Sequence, residues 1–588
     1  MKLRVLVLIL ATSIFISGQD APTPKTHFVL EKNVPVSMRD GVVLRADVMH
    51  PAEAGKFPVL VYRTPYGKDA AQQQYTTFAH AAQRGYAVVI QDVRGRHHSD
   101  GDFRPYENEG RDGYDTIEWA AAQTWSNGDV GTFGLSYPGA VQWLAAVQSP
   151  PHLQAMVPAM TFSTPQNFFY AGGTWDMSWI EWIWDDIAWD TRAKKNLPGP
   201  RTYQEALAAW KEEGAKMLNT VPLLDVKPLK QSAPYYFDWL QHPPEDPWWN
   251  WSELRDKYSR THAAVLNLSA WYDDNYGPEG ASTNFAGLLQ ARKAEAPRTH
   301  LLLGPWVHGV DNTEKTRSGE REFGPAAAID YDEVVLRWMD QYLKHIDNGV
   351  DHERPVRYFV MGRNQWRDAD QWPPAARTTP AFLAPGTGHT SAGRLQATPC
   401  DNPNRFSEFV SDPANPVVNP YDSSGAHDYR KLADRADVLT FDSALLQEDT
   451  EITGPITARI FASCDCRDFD LWARLLDVAP DGAAINLMSP GLDVLRASYR
   501  DLSRGRQWLS PGTIYELKLK NLITSNLFLP GHRIRLQISA SFTPNFSRNL
   551  QSGKSEVNSV EMKRAHIRVF HDTKHRSQIL LPLVPVVR

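Results

Sequence analysis

The segment that most constrains the fold is residues 130–146, which read Val-Gly-Thr-Phe-Gly-Leu-Ser-Tyr-Pro-Gly-Ala-Val-Gln-Trp-Leu-Ala-Ala. A run that favours a strand ends at a glycine, Ser136 stands at the corner, and a stretch with helical spacing follows. This order predicts a strand, a sharp turn and a helix, with the serine hydroxyl at the tip and the backbone N–H of Tyr137 facing the same space. We interpret it as a nucleophile elbow, although Pro138 occupies the position of the second glycine in the usual G-x-S-x-G pattern.

Apolar runs with the length of buried strands lie on both sides of this segment. They alternate with stretches of helical spacing such as 69–84, and a hairpin of two alternating runs joined at Asp40-Gly41 precedes them. The runs are 57–63, 86–92, 153–160, 265–269 and 301–303. Strands that are apolar on both faces and separated by helices predict an α/β fold with a mostly parallel sheet, which we place at residues 27–352.

Two loops follow strands of this sheet and are candidates for the site. They are residues 63–68 and 92–103. In open α/β sheets, the loops beyond the carboxyl ends of the strands form the active-site crevice. For the second loop, we favour a polar loop held by Asp–Arg pairs over a catalytic one, with His97 and His98 at the surface or behind the site.

The alternation breaks down between about 164 and 258, where many of the 20 tryptophans lie. Trp175, Trp179 and Trp182 have helical spacing, so we predict a helical cap inserted into the sheet domain. Most of these indoles are expected to bury the cap against the sheet. Trp175 and Trp179 are our candidates for substrate-binding residues in the wall of an acyl pocket.

The pattern changes again after about residue 352, to short alternating runs with frequent Pro and Gly. The runs are 356–361, 456–462, 470–478, 515–520, 532–539 and 565–570. This pattern predicts an all-β sandwich domain over residues 353–588.

The N-terminal residues differ from the rest of the chain. Lys2 and Arg4 precede an uncharged apolar run at 5–16 that is too short to span a bilayer, and small residues follow it. This order predicts a secretory signal peptide at residues 1–18, and hence a secreted or periplasmic protein; a buried N-terminal strand is the alternative. No later stretch is a candidate for a membrane span.

Charge and cysteine content exclude several classes of partner. The net charge is −6 and the chain has no basic block, so nucleic-acid binding has no electrostatic basis. The three cysteines, Cys400, Cys464 and Cys466, are too few for a disulfide framework, and the spacing of the last two suits neither a zinc ribbon nor a mutual disulfide. We expect no metal and no cofactor. The sequence leaves the oligomeric state open, and a homo-oligomer is one of the possibilities.

A serine nucleophile needs a histidine base, and that histidine needs a carboxylate to fix its tautomer. In α/β-hydrolases these residues follow one another in the order Ser, Asp, His. Asp273 and His308 come after Ser136 in that order, each just past a predicted strand. Three other residues remain open as alternatives: Asp274, His300 and His352.

Several motifs together resemble those of the cocaine esterase/X-prolyl dipeptidyl peptidase (CocE/NonD) family of serine hydrolases. The family's own elbow is G-x-S-Y-x-G, which accommodates Pro138. The matching motifs are Arg63-Thr-Pro-Tyr66, Gln91-Asp-Val-Arg-Gly-Arg96, Gly134-Leu-Ser-Tyr-Pro-Gly139, Ser269-Ala-Trp-Tyr-Asp273, Gly304-Pro-Trp-Val-His308, Gly454-Pro-Ile-Thr-Ala-Arg459, Pro530-Gly-His-Arg-Ile-Arg535 and Asn545-Phe-Ser-Arg-Asn549. The last three lie in the region that the resemblance identifies as a jelly-roll domain.

The resemblance also implies roles for individual residues. It implies Ser136 as the nucleophile, His308 as the base and Asp273 as the residue that orients it. It further implies that the Tyr66 hydroxyl joins the backbone N–H of Tyr137 in an oxyanion hole, where losing one donor typically costs about 3 kcal/mol of transition-state stabilisation.

We therefore expect an exported serine carboxylesterase that acts through an acyl-enzyme on a small-molecule ester or short peptide-like substrate. An X-prolyl dipeptidyl aminopeptidase is disfavoured, because the sheet begins almost directly after the signal peptide. An α-amino acid ester hydrolase or acyltransferase is disfavoured because Asn275 and Tyr276 stand where those relatives have carboxylates for the substrate ammonium. An uncharged acyl or alcohol group should face the cap. The non-enzymatic alternative is a catalytically inactive α/β scaffold whose β-sandwich binds carbohydrate.

Overall fold

The computed structural model describes residues 28–273, 276–292, 298–386, 392–402 and 405–585. The signal peptide expected at residues 1–18 lies outside these ranges, as do Asp274 and Asn275. Among the helices in these ranges, none combines the length and the apolar character needed to cross a bilayer.

The first part of the chain alternates strands with helices, as its apolar runs predict. Its strands are β1 (Phe28–Ser37), β2 (Val43–Pro51), β3 (Phe57–Thr64), β4 (Ala87–Asp92), β5 (Ser126–Leu135), β6 (Leu153–Ala159), β7 (Tyr170–Ala171), β8 (Thr174–Trp175), β9 (Ala264–Tyr272), β10 (Thr299–Val307), β11 (Arg317–Ser318), β12 (Arg321–Glu322), β13 (Val356–Val360) and β14 (Gln365–Ala369). Its helices are α1 (Lys68–Gln74), α2 (Thr77–Gln83), α3 (Glu109–Ala121), α4 (Tyr137–Ala146), α5 (Ser178–Trp182), α6 (Trp189–Lys195), α7 (Tyr203–Leu218), α8 (Pro234–Trp239), α9 (Gly277–Arg292), α10 (Val310–Thr313) and α11 (Tyr331–Leu343).

Within the described residues, ten of these strands form one sheet in the order β1-β2-β4-β3-β5-β6-β9-β10-β13-β14. Pairing is parallel from β4 to β13 and antiparallel at both edges. Every residue of β4 and β9 is buried, because helices cover both faces of the sheet. Helices α3 and α4 pack in one core cluster, and α2 and α11 in another. The expected α/β fold with a mostly parallel sheet is confirmed.

The cap region contains α5 to α8, short 3₁₀ turns and the two-stranded β7–β8 sheet. Helices α5 and α6 are parts of one longer helix, joined by a π-helical segment, Ile183–Ala188. The helical spacing expected from Trp175 onwards is wrong at its first residue, since Trp175 ends β8 and the helix begins at Ser178.

The C-terminal part is all-β, as its alternating runs predict. Its strands are β15 (Arg377–Ala384), β16 (Ala392–Gln396), β17 (Phe406–Ser411), β18 (Leu439–Asp442), β19 (Thr450–Cys464), β20 (Asp470–Val478), β21 (Ala484–Asn486), β22 (Val494–Arg496), β23 (Tyr515–Phe528), β24 (Arg533–Ser539), β25 (Ala565–Phe570) and β26 (Gln578–Val584). These strands are joined in a single hydrogen-bonded network. The jelly-roll topology and the domain boundaries stay predictions.

Two details differ from the sequence-based expectations. The run 356–361, expected in the all-β part, supplies β13, which pairs in parallel with β10 and extends the first sheet. Its neighbour β14 also belongs to the first sheet. Cys464 and Cys466, which we expected to stay apart, form a disulfide across a single intervening residue.

Candidate active site

Ser136 stands alone between β5 and α4, in a backbone conformation that L-residues rarely adopt. Its φ is 68° and its ψ is −126°. The flanking glycines permit this turn: a Cβ at Gly134 would lie 2.5 Å from Pro138 Cβ, and one at Gly139 would lie 2.5 Å from the carbonyl oxygen of Ala159. Position 139, one residue after the second glycine of the usual pattern, is where α4 comes close to β6, so this position needs a glycine. The strand, turn and helix expected at this segment are present.

Asp273 and His308 lie just past the ends of β9 and β10 and contact each other. His308 Nδ1 lies 2.6 Å from Asp273 Oδ1, and the Ser269 hydroxyl donates to Asp273 Oδ2 at 2.8 Å. Asp273 is fully buried, whereas a quarter of the His308 side chain is exposed. An ionised carboxylate only accepts hydrogen bonds, so this contact assigns the proton to Nδ1. Proton transfer at this ring then falls to Nε2.

The topology brings the three candidate triad residues to one edge of the sheet. Strands β5, β6, β9 and β10 are consecutive and parallel, so their carboxyl ends share that edge. The alternative histidines lie elsewhere: His300 is the second residue of β10, and His352 ends a 3₁₀ turn that precedes β13. Both therefore lie toward the opposite edge of the sheet. Asp274 lies outside the described residues.

Tyr66 follows β3, which pairs with β5, and its hydroxyl reaches the elbow. Trp182 Nε1 donates to Tyr66 Oη at 3.1 Å. Burial raises the pKa of Tyr66 above its ordinary value, and a hydrogen bond with the Ser136 side chain acts in the lowering direction. The phenol is therefore neutral at pH 7 and keeps its proton for donation.

Tyr137 begins α4, so its backbone N–H lies at the N-terminus of a helix. Its hydroxyl donates to Glu109 Oε1 at 2.9 Å and accepts the backbone N–H of Tyr106 at 3.0 Å. Its ring stacks on the ring of Tyr106 with centroids 4.2 Å apart. Glu109 Oε2 in turn lies 2.9 Å from Arg63 Nη1. One buried network thus connects Tyr137 with the loop that carries Tyr66.

The two candidate pocket tryptophans are both buried among aromatic side chains of the cap. Trp175 packs edge-on against Tyr170, with centroids 5.2 Å apart, and is 2% exposed. Trp179 stacks on Phe169 at 4.8 Å and is 6% exposed. Trp182 is the cap tryptophan that reaches Tyr66. Sequence spacing grouped it with the other two, but spacing alone does not specify which side of the helix meets the sheet.

Arg96 is a residue whose position the sequence did not reveal. The loop 92–103 was expected to be held by Asp–Arg pairs, and Arg96 lies 3.2 Å from Asp190. It also donates to the carbonyl oxygens of Pro65, Ile187 and Asp186 at 2.7, 2.7 and 3.0 Å. Arg96 is fully buried. It therefore connects the Tyr66 loop with the π-helical segment of the cap.

The same segment carries two carboxyl groups with raised pKa values. Burial raises the pKa of Asp185 to about 7, and the neighbouring charges of Glu181 and Asp186 add to the effect. Burial raises the pKa of Asp186 to about 6, opposed by Arg96 and reinforced by Glu181. Of the two, Asp186 also interacts electrostatically with Tyr66 and His308.

Comparisons with known proteins agree along most of the chain. A family model described as X-Pro dipeptidyl-peptidase (S15 family) matches residues 40–310, and one described as X-Pro dipeptidyl-peptidase C-terminal non-catalytic domain matches residues 348–580. The cocaine esterase of Rhodococcus sp. (strain MB1 Bresler) is 32% identical over 95% of this chain and 99% of that protein.

Solved structures with the same fold include proteins with different activities. An aminopeptidase from a marine sediment Thaumarchaeota archaeon aligns with a TM-score of 0.80 at 22% identity, over 98% of this chain and 99% of that one. An α-amino acid ester hydrolase aligns with a TM-score of 0.78 at 22% identity, over 97% of this chain and 100% of that one. At this identity, the likeness establishes the fold.

Proposed function

Because the chain belongs to the cocaine esterase/X-prolyl dipeptidyl peptidase family of serine hydrolases, we propose that it is an exported esterase that cleaves carboxylic esters through an acyl-serine intermediate. Ser136 is the nucleophile, His308 the general base and Asp273 the residue that orients the imidazole. The observation that carries the proposal is the 2.6 Å contact between His308 and Asp273 at the sheet edge that also holds the serine elbow.

Acylation begins when Ser136 Oγ attacks the ester carbonyl carbon and His308 Nε2 takes the serine proton. The carbonyl oxygen becomes an oxyanion, which accepts hydrogen bonds from the Tyr137 backbone N–H and the Tyr66 hydroxyl. When the tetrahedral intermediate collapses, the bond to the alcohol oxygen breaks. That oxygen takes the proton from His308 and leaves as the alcohol.

Deacylation repeats these steps with water. His308 Nε2 takes a proton from the water as its oxygen attacks the acyl carbon, and the same two donors hold the new oxyanion. Collapse releases the carboxylic acid and returns the proton to Ser136. Asp273 stays ionised throughout and stabilises the imidazolium that forms in each half-reaction.

We propose that the substrate presents an uncharged, preferably aromatic, acyl or alcohol group to the cap. The rings of Trp182 and Tyr137 lie 6.1 Å apart and nearly parallel beside Tyr66. On the other side, the ring of Tyr276 lies edge-on to His308 at 5.9 Å. A flat apolar group gains dispersion and edge-to-face contacts in such surroundings.

A second candidate, an X-prolyl dipeptidyl aminopeptidase, uses the same residues on an amide. The observation that favours it is the S15 family match over residues 40–310. The two candidates differ in the leaving group, because His308 would protonate an amine instead of an alcohol.

Hydrolysis of p-nitrophenyl acetate and p-nitrophenyl benzoate, measured beside X-Pro-p-nitroanilides, separates the candidates. We expect turnover of both esters, a higher kcat/KM for the benzoate, and turnover of the anilides at least 10²-fold slower. Ser136→Ala is the control for all substrates. An anilide kcat/KM equal to or above that of the esters would favour the peptidase.

Export is a separate part of the proposal and rests on the basic, apolar and small residues of positions 1–18. Expression of the full chain in a bacterial host, followed by fractionation and N-terminal sequencing, tests it. We expect a mature N-terminus near Gln19 outside the cytoplasm. A protein that keeps residues 1–18 and stays in the cytoplasm would contradict it.

A further inference from the structure

The contact between Trp182 and Tyr66 determines where the phenol proton can point. An indole N–H only donates hydrogen bonds, so in the 3.1 Å contact the Tyr66 oxygen must be the acceptor. A tyrosine hydroxyl has a single proton. With Trp182 donating, that proton is directed away from the indole and is left for an acceptor on another side of the hydroxyl.

The indole is held on its other sides as well. It lies nearly parallel to the Tyr137 ring, with centroids 6.1 Å apart and planes 15° apart. The Trp179 ring meets it edge-on at 5.2 Å. Trp182 therefore contacts the side chains of both residues proposed to supply the oxyanion hole, by a hydrogen bond to Tyr66 and by ring stacking with Tyr137.

Arg96 fixes the register between the helix of Trp182 and the loop of Tyr66. It donates to the carbonyl oxygen of Pro65, which immediately precedes Tyr66, and to the carbonyl oxygens of Asp186 and Ile187. Helix α5 ends at Trp182 and leads directly into this π-helical segment. The cap and the Tyr66 loop are therefore connected at two points: the hydrogen bond from Trp182 to Tyr66, and the Arg96 hydrogen bonds that join Pro65 to Asp186 and Ile187.

We propose that Trp182 is a positioning residue for the oxyanion hole: its indole N–H holds the Tyr66 hydroxyl so that the phenol proton faces the substrate oxygen. The inference rests on the proposed function, in which Tyr66 binds the oxyanion. Donation to the phenol oxygen also polarises the O–H bond and strengthens it as a donor. The cap then contributes to transition-state binding in addition to forming a pocket wall.

Trp182→Phe removes the N–H and keeps an aromatic ring. We expect kcat for p-nitrophenyl acetate to fall about 10-fold with KM changed less than about 2-fold, because the hydrogen bond to Tyr66 matters most when charge develops. Affinity for a trifluoromethyl ketone, which forms a tetrahedral adduct on the serine, should fall by a similar factor. Replacement of Trp182 by 3-benzothienylalanine exchanges the N–H for sulfur at constant shape, and covers the case in which the Phe variant folds poorly.

Trp184→Phe is the matched control. Trp184 lies in the same long helix, and its indole N–H donates to the carbonyl oxygen of Ala206 within the cap at 3.0 Å. Trp184→Phe also removes one indole hydrogen bond, so it should lower the melting temperature by about as much as Trp182→Phe does. We expect kcat to stay within about 2-fold of wild type.

A double-mutant cycle with Tyr66→Phe decides the inference. We expect Tyr66→Phe to lower kcat about 10²-fold and Trp182→Phe to add less than about 2-fold in that background. Additive losses, or a full kcat in both Trp182 variants, would overturn the role of Trp182 while leaving the esterase proposal intact. A Tyr66→Phe enzyme with unchanged kcat would instead remove Tyr66 from the oxyanion hole, and the inference with it.

Discussion

At the scale of single residues, Asp273 is the most constrained of the proposed catalytic groups. Both of its carboxylate oxygens have partners, Ser269 and His308, and the side chain has no exposure to solvent. A buried carboxylate in this setting holds one tautomer of the imidazole and stabilises its positive charge. Asparagine at this position would have the same shape but no charge, and its NH₂ group could face His308 Nδ1, where a hydrogen-bond acceptor is needed.

Asp273→Asn should therefore lower kcat by roughly 10³- to 10⁴-fold while the protein stays folded. Asp274→Asn, its neighbour in the sequence, is the control and should lose less than about 10-fold. Ester hydrolysis and melting temperature measured on the same preparations provide the comparison. Equal losses in the two variants would leave Asp273 without a special role, and a larger loss at Asp274 would transfer the role to it.

The residues that could be predicted from the sequence are those with a recognisable pattern in their neighbouring residues. Ser136 needs two glycines beside it, and Asp273 and His308 each follow an apolar run. Those signals are local, so they can be recognised without a structure. The positions of Arg96 and Trp182 depend on contacts between segments about 90 and 116 residues apart. No local pattern encodes which carbonyl or hydroxyl such a side chain will meet.

At the scale of elements, the π-helical segment Ile183–Ala188 is the distinctive part of the cap. Segments of this type recur at functional sites because they displace side chains and free carbonyl oxygens. Here Arg96 donates to two carbonyl oxygens of the segment, at Asp186 and Ile187. The segment also carries Asp185, which is partly buried and one of whose carboxylate oxygens is buried without a hydrogen-bond partner among the described residues.

Asp185→Asn should raise stability more at pH 8 than at pH 5. Burial raises the pKa of Asp185 to about 7, above its unfolded value near 3.9. Between these values the folded state binds more protons than the unfolded state, so the stability of the wild type falls as pH rises through this window. Asparagine removes that dependence. Melting temperatures at pH 5 and pH 8 measure it.

Asp256→Asn, an exposed aspartate of the same region, serves as the control for the Asp185 variant. Its difference from wild type should be small at both pH values. A gain from Asp185→Asn that is the same at pH 5 and pH 8 would mean that the carboxyl group does not titrate in this window in the folded protein.

The sequence predicted most of the helices and strands, but it predicted less well which strands pair with one another. Residues 356–360 alternate as a half-exposed strand does, and sequence reasoning assigned them to the all-β part. They lie near one edge of the first sheet, where Arg357 is exposed and its neighbours are buried. An alternating pattern reports exposure on one face. It does not report which sheet the strand joins.

At the scale of the whole molecule, the C-terminal all-β part holds the cap in place. The backbone of Ser547 donates to the Trp175 carbonyl at 2.8 Å, and the backbone N–H of Met177 donates to the Asn545 carbonyl at 3.1 Å. These contacts come from the Asn545-Phe-Ser-Arg-Asn549 motif. Behind them, Arg496 donates to the Ser547 carbonyl at 3.1 Å. The motif thus connects the core of one part to the start of the cap.

Arg496→Leu should destabilise the protein by about 3 kcal/mol or more. Arg496 pairs with Asp470 and Glu556, and all three side chains are almost fully buried. Removing the cation leaves two carboxylates without their counter-charge in a low-dielectric environment. Urea denaturation at pH 7 gives the change in the free energy of unfolding.

Arg568→Leu is the matched control, because Arg568 pairs with Glu408 at 3.0 Å while both side chains are about half exposed. Surface pairs of this kind contribute about 0–1 kcal/mol. If Arg496→Leu cost no more than Arg568→Leu, the buried ion pairs of Arg496 with Asp470 and Glu556 would not be needed for the stability of the C-terminal part.

Labelling with a fluorophosphonate tests whether Ser136 is an activated nucleophile. The serine oxygen displaces fluoride from phosphorus, which requires the nucleophile to be activated by its histidine. We expect one label per chain, located on Ser136 by peptide mass spectrometry, with ester hydrolysis lost in proportion to labelling and no label on Ser136→Ala. Full hydrolysis after labelling, or a label on a different residue, would contradict it.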